Sequence, residues 1–251
     1  AKRQSVVGYP RDLSSRESTD VFSFFSPAAR SDAVVITGAS TGIGAACALA
    51  LDKIGYRVFA GVRASADGEA LQRQAGPRLM PIRLDVTDQA SIVAASHTVL
   101  AMMGEVGLAG LVNNAGIGVA GPVEVLPLAE WRRQFEVNFF GVIAVTQTFL
   151  PLIRQGRGRI VNMGSIAGRA AMPFMAPYSA SKHALEALTD ALRIELQPWG
   201  VRVAIIEPGA IATPTVAIFL RDPEANADVE GDLVRELFDL TPAEAAVARR
   251  L

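Results

Sequence analysis

The sequence predicts an α/β fold: a doubly wound parallel sheet with helices on both faces, in a single domain. Three observations predict it. From Ala33 onward, short β-branched runs alternate with longer alanine-rich stretches. Several of those runs are apolar almost throughout, as parallel strands covered on both faces require. Glycine, asparagine, serine and aspartate then gather where the runs stop, and ligands in such sheets sit beyond the carboxyl ends of the strands. A chain of 251 residues is long enough to bury a substantial core.

Taken in order, the expected strands are "AVVIT" (33–37), "RVFAGV" (57–62), "LMPIRLDV" (79–86), "GLVNNA" (110–115), "RIVNMG" (159–164) and "RVAIIEP" (202–208). Helical stretches lie between them, near 43–54, 66–75, 88–103, 129–154 and 178–197. Residues 1–31 are polar and irregular apart from "VFSFF", and are read as a leader or arm; residues 32–251 form the domain. After Thr215 the sequence becomes acidic and helical in character, with Thr241, Pro242 and Glu244 making a good helix start. No β-branched run stands out there. The expectation is an atypical helical segment over 216–251, without an obvious seventh strand.

Composition excludes several classes. Lys and Arg number 24 against 25 Asp and Glu, a net charge of −1, whereas an electrostatic nucleic-acid binder carries a basic excess. The single cysteine, Cys47, rules out an internal disulfide framework, and two isolated histidines offer no metal-ligand cluster. The N-terminus shows no apolar run of signal-peptide length. The longest apolar-rich stretch, 135–153, contains Glu136, Asn138, Thr146, Gln147 and Thr148, more polar groups than a membrane span carries. These features imply a soluble protein of a reducing compartment, hence cytoplasmic, with no membrane span and no metal.

The first strand ends in "TGASTGIG" (37–44). Gly38 permits a tight turn, Gly42 lets backbone approach a phosphate, and Gly44 allows close packing of helix on sheet. Ser40 and Ile43 belong to the same turn, and the following helix directs free N–H groups at an anion. Glycines also turn and cap without a ligand, but their place after the first strand favours a dinucleotide. The second strand ends with Val62 and Arg63, where an acidic residue often holds the ribose of NAD. A guanidinium there suits a 2′-phosphate instead, so NADP(H) is favoured over NAD(H). Asp85 and Val86, at the third strand's end, suit an adenine amino group, with a helix cap as the alternative use of the aspartate. "NNAG" (113–116) brings Asn113, Ala115 and Gly116, small enough for backbone to reach a ribose.

"YSASK" (178–182) puts Tyr178 and Lys182 one helical turn apart, on one face. A fixed ammonium favours the ionised form of a neighbouring phenol, as a general acid or base requires. Ser165 ends the fifth strand in "NMGS", and its hydroxyl suits either a substrate oxygen or a local loop cap. Asn138 interrupts an apolar helical stretch, which an asparagine does when its side chain or local backbone is engaged.

"TGASTGIG", "NNAG", Asn138, Ser165, "YSASK" and "PG" at 208–209 together resemble the short-chain dehydrogenase/reductase family, over about Ala33 to Thr215. The resemblance implies a Rossmann-like oxidoreductase that moves a hydride between a nicotinamide cofactor and an alcohol or ketone. It implies that Tyr178 is the general acid–base, that Lys182 assists it and holds the nicotinamide ribose, that Ser165 binds the substrate oxygen, and that Asn138 fixes a relay water. It also implies that "PGAIAT", with Pro208, Gly209, Ile211 and Thr213, supports the nicotinamide. "GRAAMPFMAPYSASKHALEALTDALRIEL" and "IIEPG" are similar to the family's steroid, retinol and other lipophilic-alcohol dehydrogenases. Met172, Pro173, Phe174 and Met175 are then expected to line an apolar substrate pocket. The family's assembly through its long helices implies a homodimer or homotetramer. The alternative is a catalytically silent dinucleotide sensor on the same fold.

Overall fold

The computed structural model describes residues 32–209 and 218–221. Within them the chain runs β1 (Ala33–Ile36), α1 (Gly42–Lys53), β2 (Arg57–Val62), α2 (Ser65–Gln72), β3 (Leu79–Arg83), α3 (Gln89–Met103), β4 (Gly110–Asn113), α4 (Leu128–Phe135), α5 (Gly141–Gly156), β5 (Arg159–Met163), α6 (Ala176–Leu196), β6 (Arg202–Pro208) and β7 (Ile218–Arg221). The strands form one sheet in the order β3-β2-β1-β4-β5-β6-β7. β1 to β6 are parallel, and β7 runs antiparallel to β6. The order reverses between β1 and β4, and a crevice opens at such a reversal.

The apolar runs divide by alternation. Val34 and Ile36 of β1 join Val58 and Ala60 of β2 and Ala48 of α1 on one face. Ala33, Val35 and Phe59 point the other way, into a larger core with Ile92 and Val99 of α3, Val145, Phe149 and Ile153 of α5, and Leu196 of α6. All four residues of β1 are buried, which explains why the run reads as continuously apolar.

The predicted helix over 129–154 is two helices joined by a π turn at Glu136–Phe140. Together they span Leu128–Gly156, long and apolar enough by length and composition to cross a membrane. Here the apolar face has an internal use, since Val145, Phe149, Leu152 and Ile153 are packed against the sheet. β1 and β5 end one residue earlier than expected, and two strands are shorter by more. β3 stops at Arg83 and β4 at Asn113, because 84–86 and 114–115 leave the sheet to line the crevice at its edge.

The expected absence of a seventh strand is corrected. "IFLR" at Ile218–Arg221 pairs with β6, Leu220 opposite Ile206. Only Ile218 in it is β-branched, and an edge strand this short leaves little periodic signal. The leader 1–31 and the helix start at Thr241 lie outside the described residues.

Phe149 is wholly buried between α5 and the sheet. Phe149→Ala is therefore expected to cost about 3–5 kcal/mol, read as a lower urea midpoint at unchanged slope.

Candidate active site

A cavity of about 960 Å³ opens at the carboxyl ends of the strands, where the order reverses. Gly38 bends the chain into it at φ +63, and a Cβ there would lie 2.7 Å from the Ala115 Cα. Gly42 also has positive φ, and the space beside it is open. A Cβ on Gly44 would collide with the Gly38 carbonyl, so this glycine sets how closely α1 packs on the turn. The cap residue Thr41 makes no side-chain bond to the helix start, leaving the first N–H groups of α1 to an anion.

The turn is stitched to the end of β4 by two residues absent from the predicted set. The Thr37 hydroxyl accepts from the N–H groups of Asn114 and Ala115, each at 3.0 Å. The Asn114 amide donates back to the carbonyls of Thr37 at 3.0 Å and Gly38 at 2.9 Å. Both lie inside the motifs "TGASTGIG" and "NNAG". What the sequence lacked was their distance: they are 77 positions apart.

Gly38, Ser40, Ile43, Arg63, Asp85, Val86, Ala115, Gly116, Ser165, Tyr178, Lys182, Pro208 and Gly209 all line this one cavity. Gly42 and Gly44 stand in its glycine turn without lining it, and Ile211 and Thr213 lie outside the described residues. Asp85 is not a helix cap; Asp88 is, accepting from the Ala90 N–H. Burial alone would raise the Asp85 carboxyl, but two hydrogen bonds from Thr87, with Arg63 and Arg83 nearby, outweigh it and hold the group below its ordinary range. Among the expected pocket residues, Met172 and Met175 line the cavity. Pro173 and Phe174 do not: both are exposed, and Phe174 is turned outward by a left-handed backbone (φ +65) whose carbonyl accepts from Gly121.

The two predicted asparagines commit their side chains inside the fold. Asn113 faces the interior and donates to Thr146 at 3.0 Å and to its strand partner Asn162 at 2.9 Å, while Asn162 donates to Thr189. Its side chain thus ties β4 to β5 below the cavity floor. Asn138 sits in the π turn, 1 % exposed. Its Oδ1 accepts from the Ile117 N–H at 2.9 Å, and its Nδ2 donates to the Ile117 carbonyl at 3.0 Å and to Ser181 at 3.3 Å. One turn earlier Gln134, fully buried and unforeseen, accepts from Val119 at 2.6 Å and donates to Ile117 at 2.8 Å. The two amides clamp the loop after β4, and Gly118 of that loop lies beside the Tyr178 ring.

Tyr178 and Lys182 lie in the first two turns of α6. The Lys182 ammonium is 5.7 Å from the Tyr178 ring centre and donates to the Met163 carbonyl at 2.5 Å. Burial depresses its pKa from 10.5 to about 8, against a partial opposing pull from Glu186 one turn on. The Ser165 oxygen accepts from the Ala167 N–H at 3.1 Å, capping a short 3₁₀ turn in a bond that does not use the hydroxyl's own proton. Arg169, just beyond, bonds Glu186 of α6 at 2.8 Å and Glu207 of β6 at 2.7 Å. That bridge fixes the loop carrying Ser165 against the helix carrying Tyr178.

A parallel sheet that reverses at a glycine turn, with a helix start free for phosphate, defines a dinucleotide-binding α/β protein. Residues 32–223 match the short chain dehydrogenase family model, and the chain belongs to that family. It is 38 % identical to human 17-beta-hydroxysteroid dehydrogenase type 2, over 84 % of this chain and 54 % of that protein. It is 41 % identical to mouse retinol dehydrogenase 5, over 84 % of this chain and 63 % of the relative. The chain therefore spans between half and two thirds of the length of these relatives. Among solved structures, 3-ketoacyl-(acyl-carrier-protein) reductase from Brucella melitensis complexed with NADH superposes with a TM-score of 0.68 at 30 % identity, covering 71 % of this chain and 76 % of that one.

Two outcomes test the site's energetics. The Lys182 pKa is lower folded than unfolded, so its charge destabilises the fold below pH 8, and this penalty fades as pH rises toward 10.5. It amounts to roughly 3 kcal/mol, and the Met163 hydrogen bond offsets about 1 kcal/mol. Lys182→Met is expected to melt above wild type at pH 7 by calorimetry, with the gap closing in alkaline buffer. Arg169→Met leaves two nearly buried glutamates facing each other. Because the arginine is 41 % exposed and screened on its open side, the expected loss is about 2 kcal/mol, read by urea unfolding.

Proposed function

We propose that this protein is an NADP(H)-dependent oxidoreductase that moves a hydride between the nicotinamide and a hydrophobic secondary alcohol or its ketone. The observation that carries the reading is the meeting of Ser165, Tyr178 and Lys182 in the lining of the cavity that the glycine turn enters. The residues present fit a nicotinamide dinucleotide: Gly42 leaves open space at the helix start, Asp85 and Val86 stand at the third strand's end, and Arg63 suits a 2′-phosphate.

When bound, the nicotinamide supplies or accepts the hydride. Ser165 donates its free O–H to the substrate oxygen, stabilising the negative charge that develops there. Tyr178 gives that oxygen a proton in reduction and removes it in oxidation. Lys182 holds positive charge beside the phenol and suits the ribose hydroxyls. Its neighbour Met163 ends the strand before Ser165, so ammonium and hydroxyl are set from the same backbone. Asn138 has its amide committed to Ile117 and Ser181. A relay water therefore depends on backbone carbonyls loosened by the π turn. Met172 and Met175 give the substrate side an adaptable apolar wall, as the relatives' steroid and retinol names support. A homodimer or homotetramer in the cytoplasm completes the reading.

Tyr178→Phe is expected to lower turnover of apolar ketones by at least a thousandfold while NADPH binding, followed by fluorescence, stays within a few fold. Retained turnover sinks the assignment, and wild-type binding without turnover supports a cofactor sensor. Arg63→Ala is expected to weaken NADPH binding at least tenfold and leave NADH unchanged. An equal effect on both means that the arginine does not meet a 2′-phosphate.

A further inference from the structure

Gln134 lies on α4, fully buried, and belongs to none of the sequence motifs that mark the site. Its amide is committed to the stretch between β4 and α4, which has no regular structure where it passes the cavity. Oε1 accepts from the Val119 N–H at 2.6 Å, and Nε2 donates to the Ile117 carbonyl at 2.8 Å. Backbone groups that leave a strand ladder and stay buried need such partners. Gly116, Ile117 and Gly118 of this stretch line the cavity. They are held from two sides. A Cβ on Gly116 would lie 3.4 Å from the Asn138 Oδ1, and one on Gly118 would lie 4.0 Å from Cδ2 of the Tyr178 ring. The loop backbone is thus a thin wall between buried amides and the phenol ring. Asn138 ties the wall to α6 as well, through Ser181, whose hydroxyl donates to the Tyr178 carbonyl at 2.7 Å.

We infer that Gln134 is a positioning residue for the hydride transfer proposed above, acting through Ile117 and Gly118 on the placement of Tyr178 against its substrate. The inference rests on that reading of the site. Two atoms of one side chain fix both ends of the span 117–119, so the wall has one position rather than several. An apolar side chain in place of the amide leaves the Val119 N–H without its acceptor and takes a donor from the Ile117 carbonyl. Buried groups stripped in this way are costly, and the loop shifts to relieve them. A displacement of about 1 Å beside reacting groups is enough to slow a reaction about a hundredfold. Gly118 makes the position count, because no side chain stands between the moving backbone and the Tyr178 ring.

Two variants of the full chain test this, each set against wild type in the reduction of an apolar ketone by NADPH. Gln134→Met keeps the bulk without the amide. At a temperature where circular dichroism shows it folded, it is expected to lower kcat at least tenfold while KM for the ketone stays within threefold. Gln134→Glu keeps the shape and the acceptor for Val119, but donates to the Ile117 carbonyl only while its carboxyl is protonated. Burial and the facing carbonyl favour that protonated form. Its kcat is expected to lie within threefold of wild type at pH 6 and at least tenfold below wild type at pH 9, a dependence that a purely structural role does not produce while both proteins remain folded. If Gln134→Met does not fold, the profile of Gln134→Glu decides alone. Wild-type kcat in folded Gln134→Met overturns the inference, as does a Gln134→Glu profile that runs parallel to wild type. Wild-type protein that binds NADPH and reduces no ketone sinks the underlying reading and this inference together, whereas a working wild type with unaffected variants sinks this inference alone.

Discussion

The site depends first on the seam between β1 and β4. These strands are neighbours in the sheet, yet the chain leaves them toward opposite sides, so the backbone beyond them parts and a crevice opens. The Thr37 hydroxyl and the Asn114 amide hold that parting fixed through four hydrogen bonds. Backbone groups at a strand end have lost their ladder partners, and leaving them unpaired is costly. The seam satisfies them while keeping the glycine turn rigid at the cavity's edge.

Polar groups in the interior continue the same logic. Asn113, Thr146, Asn162 and Thr189 cross the middle of the sheet, and Gln134 with Asn138 grips the loop at 117–119. Apart from the buried Asn113 Oδ1, which has no hydrogen-bond partner, these groups have partners of fixed geometry, so the networks select one arrangement of the elements rather than merely a collapsed one. The π turn belongs to this device. Asn138 sits in it, one turn after Gln134 and against the same loop.

The buried ammonium of Lys182 shows the opposite balance. It lowers the stability of the fold at neutral pH, with one carbonyl and a nearby glutamate as compensation. Groups that oppose stability in this way cluster at functional sites. Arg169, by joining Glu186 to Glu207, secures the surrounding elements against that cost.

The sequence by itself determined the order of elements and the identity of many lining residues. Alternation within apolar runs and a glycine turn after the first strand are local signals, carried by neighbours in the chain, and thirteen of the predicted residues meet in one cavity. Only the tertiary structure decided which way side chains turned. Asn113 and Ala115 are two positions apart, yet one ties strands together inside and the other lines the cavity. Met172 and Met175 line the cavity while Phe174, the left-handed residue between them, does not. Gln134 carries no local signal of its role, which comes from the loop at 117–119 folded over it. β7 offered four residues of weak pattern, and its pairing with β6 gave them their place. Hydrogen bonds between groups tens of positions apart fix these outcomes, and no local periodicity encodes such distances.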